Sequence, residues 1–113
     1  MIYITGDTHR DFSRLYNLKS KEDDMLIVLG DAGINYCLNE DDISYKEYLK
    51  RFKLNLFCIR GNHEERPENI NTYKEIEMFG GKVSIEEDYP NLIFAKDGEV
   101  YNIDGKSVLV CSM

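Results

Sequence analysis

Residues 25–31, Met25-Leu26-Ile27-Val28-Leu29-Gly30-Asp31, decide the fold. Five apolar residues stand in a row with no alternation. This is the pattern of a strand covered on both faces, as in the middle of a parallel sheet. A glycine stops the run and an acid follows. The same grammar occurs twice more. Met1 to Thr5 leads into Gly6-Asp7-Thr8-His9, and Leu54 to Ile59 leads into Arg60-Gly61-Asn62-His63-Glu64. Between these runs the spacing predicts helices. Asp11 caps one through about Leu18, with Phe12, Leu15 and Leu18 on one side. Asn39 caps another over Glu40–Phe52, with acids in its first turn and Lys50, Arg51 and Lys53 near its end, the order that suits the helix dipole. Its expected apolar stripe is Ile43, Tyr48, Leu49 and Phe52. The first half therefore reads β-α-β-α-β, a parallel sheet with right-handed crossovers.

The second half reads differently. Thr72 to Phe79 predicts a short helix ended by Gly80-Gly81. Short strands are expected at Val83–Ile85, Leu92–Ala95, Glu99–Ile103 and Ser107–Cys111, with Asp97-Gly98 and Asp104-Gly105 as hairpin signals. These strands are read as antiparallel. Glu86, Glu87 and Asp88 read as an exposed turn. The chain is thus expected to be α/β, a single domain over residues 1–113 that stops just after an apolar strand. Such an edge invites pairing with another chain.

Composition narrows the function. The 113 residues carry a net charge of -7, which argues against a general nucleic-acid or anionic-membrane binder. Three cysteines, Cys37, Cys58 and Cys111, have no metal-type spacing, and Cys58 and Cys111 lie in apolar runs as small core residues do. Reduced thiols, no leader-like N-terminus and no apolar run near the ~20 residues of a membrane span set the expectation of a cytoplasmic protein.

The three strand ends bring together Asp7, His9, Asp31, Asn62 and His63, at the edge where α/β sheets hold ligands. Singly, each motif has a plain explanation: a turn aspartate, a Gly-Asp turn, an asparagine helix cap. All three in order, each after its own strand, point to one site. Mixed oxygen and nitrogen donors suit a pair of divalent metals. Asp31 has two oxygens with which to bridge such a pair, Asp7 and His9 would complete one side, and Asn62 would offer a neutral carbonyl oxygen to the other. His63, beside the site, would meet the leaving oxygen as proton donor. Arg10, Arg60 and Arg66 stand near the motifs as candidate phosphate contacts. Asn35 and Tyr36 stand in the loop after Asp31, where a substrate contact or a plain loop role fits equally. Tyr45, Tyr48 and Phe52 read as helix core rather than as a base-stacking platform.

The triplet resembles the calcineurin-like metallophosphoesterase superfamily, whose pattern is D-x-H, G-D and then G-N-H-[DE]. Arg60-Gly61-Asn62-His63-Glu64 is also similar to the form in Ser/Thr protein phosphatases and dinucleotide polyphosphate hydrolases. The resemblance implies the N-terminal half of a four-layer α/β/β/α sandwich. It implies metal ligands at Asp7, His9, Asp31 and Asn62, a proton donor at His63, and Glu64 orienting that donor. It also implies two divalent metal ions, manganese first, with iron, zinc or cobalt as alternatives. The expected activity is metal-dependent hydrolysis of a phosphomonoester or phosphodiester by hydroxide activated at a dinuclear centre. The expected substrate is a small phosphate ester or a phosphoprotein.

Two departures bear on that activity. The middle motif, Gly30-Asp31-Ala32-Gly33-Ile34-Asn35-Tyr36, lacks the Asp-Arg-Gly of the protein phosphatases, and Arg10 replaces the usual glycine after D-x-H. The closest resemblance is to small bacterial or phage metallophosphoesterases of unassigned substrate. The family also supplies later histidines, one alone and two in G-H-x-H, whereas this chain has only His9 and His63. The metals would be incompletely coordinated. The alternative expectation is a catalytically inactive module that binds a partner or associates with itself through the C-terminal strand.

Overall fold

Strands β1 (Ile2–Thr5), β2 (Met25–Leu29) and β3 (Asn55–Ile59) lie side by side and parallel, in the register Thr5↔Val28 and Leu29↔Ile59. The expected strand at residues 25–29 has those bounds. These and all later coordinates come from a computed structural model that describes residues 2–6, 24–30, 32–35, 38, 40–51, 54–60, 65 and 67–111. The expected helix from Asp11 to Leu18 lies outside them.

Helix α1 (Glu40–Lys50) follows the loop after β2. It ends before Phe52, the predicted limit, which lies outside the described residues with Lys53 and the expected cap Asn39. Its buried face is Asp42, Lys46 and Leu49, with Tyr45 and Tyr48 half-buried against the core. Ile43, placed in the apolar stripe by spacing, is 55% exposed. The buried face instead includes Asp42, which accepts from the Leu38 N–H at 2.6 Å, and Lys46, which pairs with Glu86.

The region read as a helix over Thr72–Phe79 is instead β4 (Tyr73–Met78), paired antiparallel with β5 (Gly81–Glu86). Both periods fit its sequence. Tyr73 and Ile76 are a helical pair, while Ile76 and Met78 alternate as in a strand. The turn decides. Phe79 and Gly80 both have positive φ, 57° and 81°, and Met78 pairs with Gly81 across this two-residue hairpin loop. Phe79 tolerates that conformation while its ring meets Phe57 edge-on at 6.0 Å.

Strand β6 (Tyr89–Ala95) follows the exposed Glu87–Asp88 turn and pairs antiparallel with β5, but parallel with β3. The antiparallel strands thus extend the parallel sheet, giving six strands in the order β1-β2-β3-β6-β5-β4. A separate hairpin of β7 (Val100–Ile103) and β8 (Lys106–Leu109) turns through Asp104-Gly105, both at positive φ as its sequence predicts. Asp97-Gly98 is a turn but not a hairpin: the Gly98 N–H donates to the Val110 carbonyl at 2.9 Å, and the chain leaves the large sheet there.

Alternation assigns the two faces. Leu26, Val28, Leu56, Cys58, Leu92 and Phe94 pack with Leu49 on the helix side. Met25, Phe57, Ile93 and Ala95 pack with Tyr101, Ile103 and Val110 of the hairpin side. The described residues therefore form three layers, helix, mixed sheet and second sheet, in keeping with the α/β class and with part of the expected sandwich. Cys58 is core as expected. Cys111 is exposed rather than buried, because the sheet contact ends with Val110.

Candidate metal centre at the strand ends

Three adjacent parallel strands end within one residue of each other. Thr5 is opposite Val28, and Leu29 is opposite Ile59, so Gly30 and Arg60 stand level and Gly6 stands one residue behind them, beside Leu29, in a staggered line across the sheet. Neighbouring strands are about 4.8 Å apart, so the line spans roughly 10 Å. Asp7 is the next residue after Gly6, Asp31 the next after Gly30, and Asn62 the second after Arg60. Each covalent step is about 3.8 Å.

Asp7, His9, Arg10, Asp31, Asn62, His63, Glu64 and Arg66 themselves lie outside the described residues, as does Tyr36. Arg60 is described and half-buried at the end of β3. Among the described residues no three His, Cys, Asp or Glu side chains form a metal-holding group.

The loop after Asp31 is well anchored. Gly30 and Gly33 have φ of 92° and 79°, which turn the chain off the strand in a way side chains resist. Ala32 and Ile34 are fully buried beneath it. Asn35, for which a substrate contact and a loop role both fitted the sequence, is a buried tie. Its Nδ2 donates to the Tyr73 hydroxyl at 2.8 Å, and its carbonyl accepts from the Glu65 N–H at 2.9 Å. Glu65 directly follows Gly61–Glu64 in the sequence. Glu65 in turn accepts from Asn69 at 2.8 Å.

Beside this tie lies a buried polar group that spacing did not reveal. Lys46 of α1 is ion-paired with Glu86 of β5, and the Thr72 hydroxyl donates to the other Glu86 oxygen at 2.6 Å. The Lys46 ammonium stands 5.3 Å from the Tyr73 ring centre and 6.0 Å from that of Tyr89. Glu86, expected in an exposed turn, is therefore mostly buried. The only signal in the sequence was Asp42 and Lys46 at a helical spacing of four, which also describes a solvated face.

Burial sets the titration of the tyrosines here. Tyr73, stacked edge-on to Phe94 at 5.7 Å, is pushed far above the usual tyrosine value by burial, with the Asn35 hydrogen bond opposing. Tyr89 is pushed up to about 12 by burial and by its hydrogen bond to Glu47. Tyr101 is also raised by burial. These groups stay neutral in the fold while an unfolded tyrosine ionises near pH ~10. Their contribution is fully present below that pH, and stability falls as pH rises from there through the raised folded values. Of the eight tyrosines, Tyr73, Tyr89 and Tyr101 are expected to ionise together with loss of the fold. Phenolate absorbance and circular dichroism recorded along one alkaline titration would check this. Ionisation of all eight before any loss of structure would contradict it.

The family model for calcineurin-like phosphoesterases matches residues 1–111. The chain belongs to that family. No curated protein and no solved structure gives a match to it. Family membership carries phosphoesterase chemistry in general and names neither metal nor substrate. No helix among the described residues is long and apolar enough to cross a membrane.

Proposed function

We propose that the chain is a metal-dependent phosphoesterase whose centre forms around Asp7, His9, Asp31 and Asn62. The observation that carries this reading is that three adjacent parallel strands end within one residue of each other, with Gly30 level with Arg60 and Gly6 one residue behind. The donor set fits the group: two carboxylates, one imidazole and one amide oxygen suit manganese, iron, zinc or cobalt. Manganese is the first candidate. When bound, a divalent pair supplies Lewis acidity toward a phosphoryl oxygen and an activated water. The chain's own residues do the rest. Asp31 holds the centre together from the middle strand, and Asp7 and His9 close one side. His63 gives a proton to the leaving oxygen, and Glu64 orients it. Arg10, Arg60 and Arg66 draw the phosphate in by charge-assisted hydrogen bonds. The substrate class is a phosphomonoester or phosphodiester, small or carried on a protein, acted on in the cytoplasm.

One observation favours a second reading, an inactive module that self-associates. In the β7–β8 register, Val110 donates to Glu99, so the alternate residues Ser107 and Leu109 turn their backbone groups to the outer edge of β8. Leu109 is 61% exposed, and Val100 opposite it is 51% exposed. Such an edge can pair with a second chain.

One experiment tests both. Mn2+-dependent hydrolysis of bis-p-nitrophenyl phosphate is measured for the chain and for Asp31→Asn at two chain concentrations. Turnover that the substitution abolishes is the expected result. Specific activity that rises with concentration would mean the site is completed between chains. Equal background in both proteins would leave the inactive-module reading.

A further inference from the structure

Two stretches of chain that carry candidate metal ligands are pinned at both ends. The last β2–β3 pair, Leu29↔Ile59, sets Gly30 level with Arg60. Further on, the Asn35 carbonyl accepts from the Glu65 N–H at 2.9 Å. Asn35 is five residues beyond Gly30, and Glu65 is five beyond Arg60. The sheet and this one hydrogen bond therefore close a ring from two stretches of equal length. In sequence, Asp31 belongs to the first stretch, and Asn62 and His63 belong to the second. A second closure takes conformational freedom from everything between the two pins.

The closing residue is itself locked. Asn35 is 1% exposed, and Ala32 and Ile34 before it are fully buried. Its Nδ2 donates to the Tyr73 hydroxyl at 2.8 Å. That hydroxyl also bonds to Glu86. A tyrosine hydroxyl has one proton and a carboxylate can only accept, so Tyr73 donates to Glu86 and accepts from Asn35. This fixes which end of the Asn35 amide faces Tyr73. Glu86 is held in turn by Lys46 and by the Thr72 hydroxyl at 2.6 Å. The Tyr73 ring is seated edge-on against Phe94, with centres 5.7 Å apart. A chain of side-chain bonds thus runs from α1 and β5 through Tyr73 to the closing hydrogen bond.

At 1% exposure Asn35 has no surface with which to touch a substrate. What its place offers is geometry. A pair of metal ions draws ligands from separate stretches of chain, and residues behind the ligands decide how well those stretches are held.

We propose that Asn35, locked by Tyr73, is a positioning residue of the metal centre: it closes the stretch carrying Asp31 against the stretch carrying Asn62 and His63. The proposal rests on the phosphoesterase reading for the centre itself. It makes Tyr73 the residue through which Glu86 and Lys46 act on metal binding.

The test is Mn2+ binding by the chain, read from the electron paramagnetic resonance of the free ion, with every protein kept where circular dichroism shows it folded. Asn35→Ala removes the link. Tyr73→Phe removes only the hydroxyl and keeps the ring on Phe94. Each is expected to weaken Mn2+ binding about tenfold or more, within the range for groups that orient metal ligands. The double variant is expected to bind no more weakly than the single ones, since both break one link. Thr72→Ala takes a different hydroxyl from Glu86 and leaves Asn35 in place, so its Mn2+ affinity is expected to match the unaltered chain. Unchanged binding in Asn35→Ala and Tyr73→Phe, with Asp31→Asn losing it, would overturn the positioning role while the metal centre stood. An equal loss in Thr72→Ala would mean that any weakening of the Glu86 cluster acts alike, and would overturn the assignment to Asn35. Mn2+ binding no stronger in the unaltered chain than in Asp31→Asn would overturn the metal centre and the positioning role together.

Discussion

Tyr101→Ala is expected to cost about 3–5 kcal/mol, the range for truncating a large buried aromatic. Tyr101 is fully buried between the β7–β8 hairpin and the large sheet. Its ring meets Phe57 edge-on, with centres 5.1 Å apart and planes at 82°. Its hydroxyl donates to the Lys82 carbonyl and accepts from the Lys96 N–H at 2.9 Å. Truncation therefore opens a cavity and strands two backbone groups. Tyr101→Phe separates these effects and is expected to cost about 1 kcal/mol, since the ring stays and only the hydrogen bonds go. The seat is closed from the other side by Gly81. A Cβ there would stand 2.8 Å from Tyr101 Cε1 and 3.0 Å from the Val100 carbonyl oxygen. Against a total of about 5–15 kcal/mol for a typical domain, the alanine change removes a large share. Urea unfolding followed by circular dichroism measures it, the chain having no tryptophan. A loss under about 1 kcal/mol for Tyr101→Ala would mean that the hairpin is not docked as described. The effect reaches the candidate site, because Phe57 belongs to β3, and Arg60 directly follows the last residue of β3, Ile59.

How far the sequence alone carries depends on whether a residue's neighbours are near it in the chain. The parallel strands were legible because their burial is two-sided: Met25 to Leu29 cannot be an amphipathic surface element. Asp104-Gly105 was legible because the turn chemistry is local. Residues 73–78 were not. Tyr73, Ile76 and Met78 satisfy both periods, and what selects the strand is pairing with Gly81–Glu86 across a turn whose first residue, Phe79, carries no turn signature. The near-alignment of the strand ends, Gly30 level with Arg60 and Gly6 one residue behind, could be expected from three repeated strand endings. The tie through Asn35 could not, since its partners Glu65 and Tyr73 are 30 and 38 residues away in sequence. The same holds for Glu86, whose surroundings in the chain are acidic and turn-like while its partner Lys46 is 40 residues distant.

That pair gives the second large expected effect. Lys46→Met is expected to cost about 3–5 kcal/mol, the range for breaking a buried ion pair by removing one partner. Glu86 would lose its one cationic partner among the described residues and keep hydroxyl partners such as Thr72, with its side chain 12% exposed. Glu86→Gln should cost less. It leaves the Lys46 ammonium between the Tyr73 and Tyr89 rings at 5.3 and 6.0 Å, and such cation–π contact is worth about 0.5–2 kcal/mol. The double variant is expected to cost less than the sum of the two, by about 1–3 kcal/mol, since the second change removes the charge that the first strands. Urea unfolding of the four proteins in parallel reads this coupling directly. Additive losses would mean that Lys46 and Glu86 are stabilised by their separate surroundings and not by each other. The coupling matters beyond stability. The pair joins α1 to β5, next to the tie between Asn35 and Tyr73. If Lys46 answers to Glu86, it is a structural cation and not a phosphate contact.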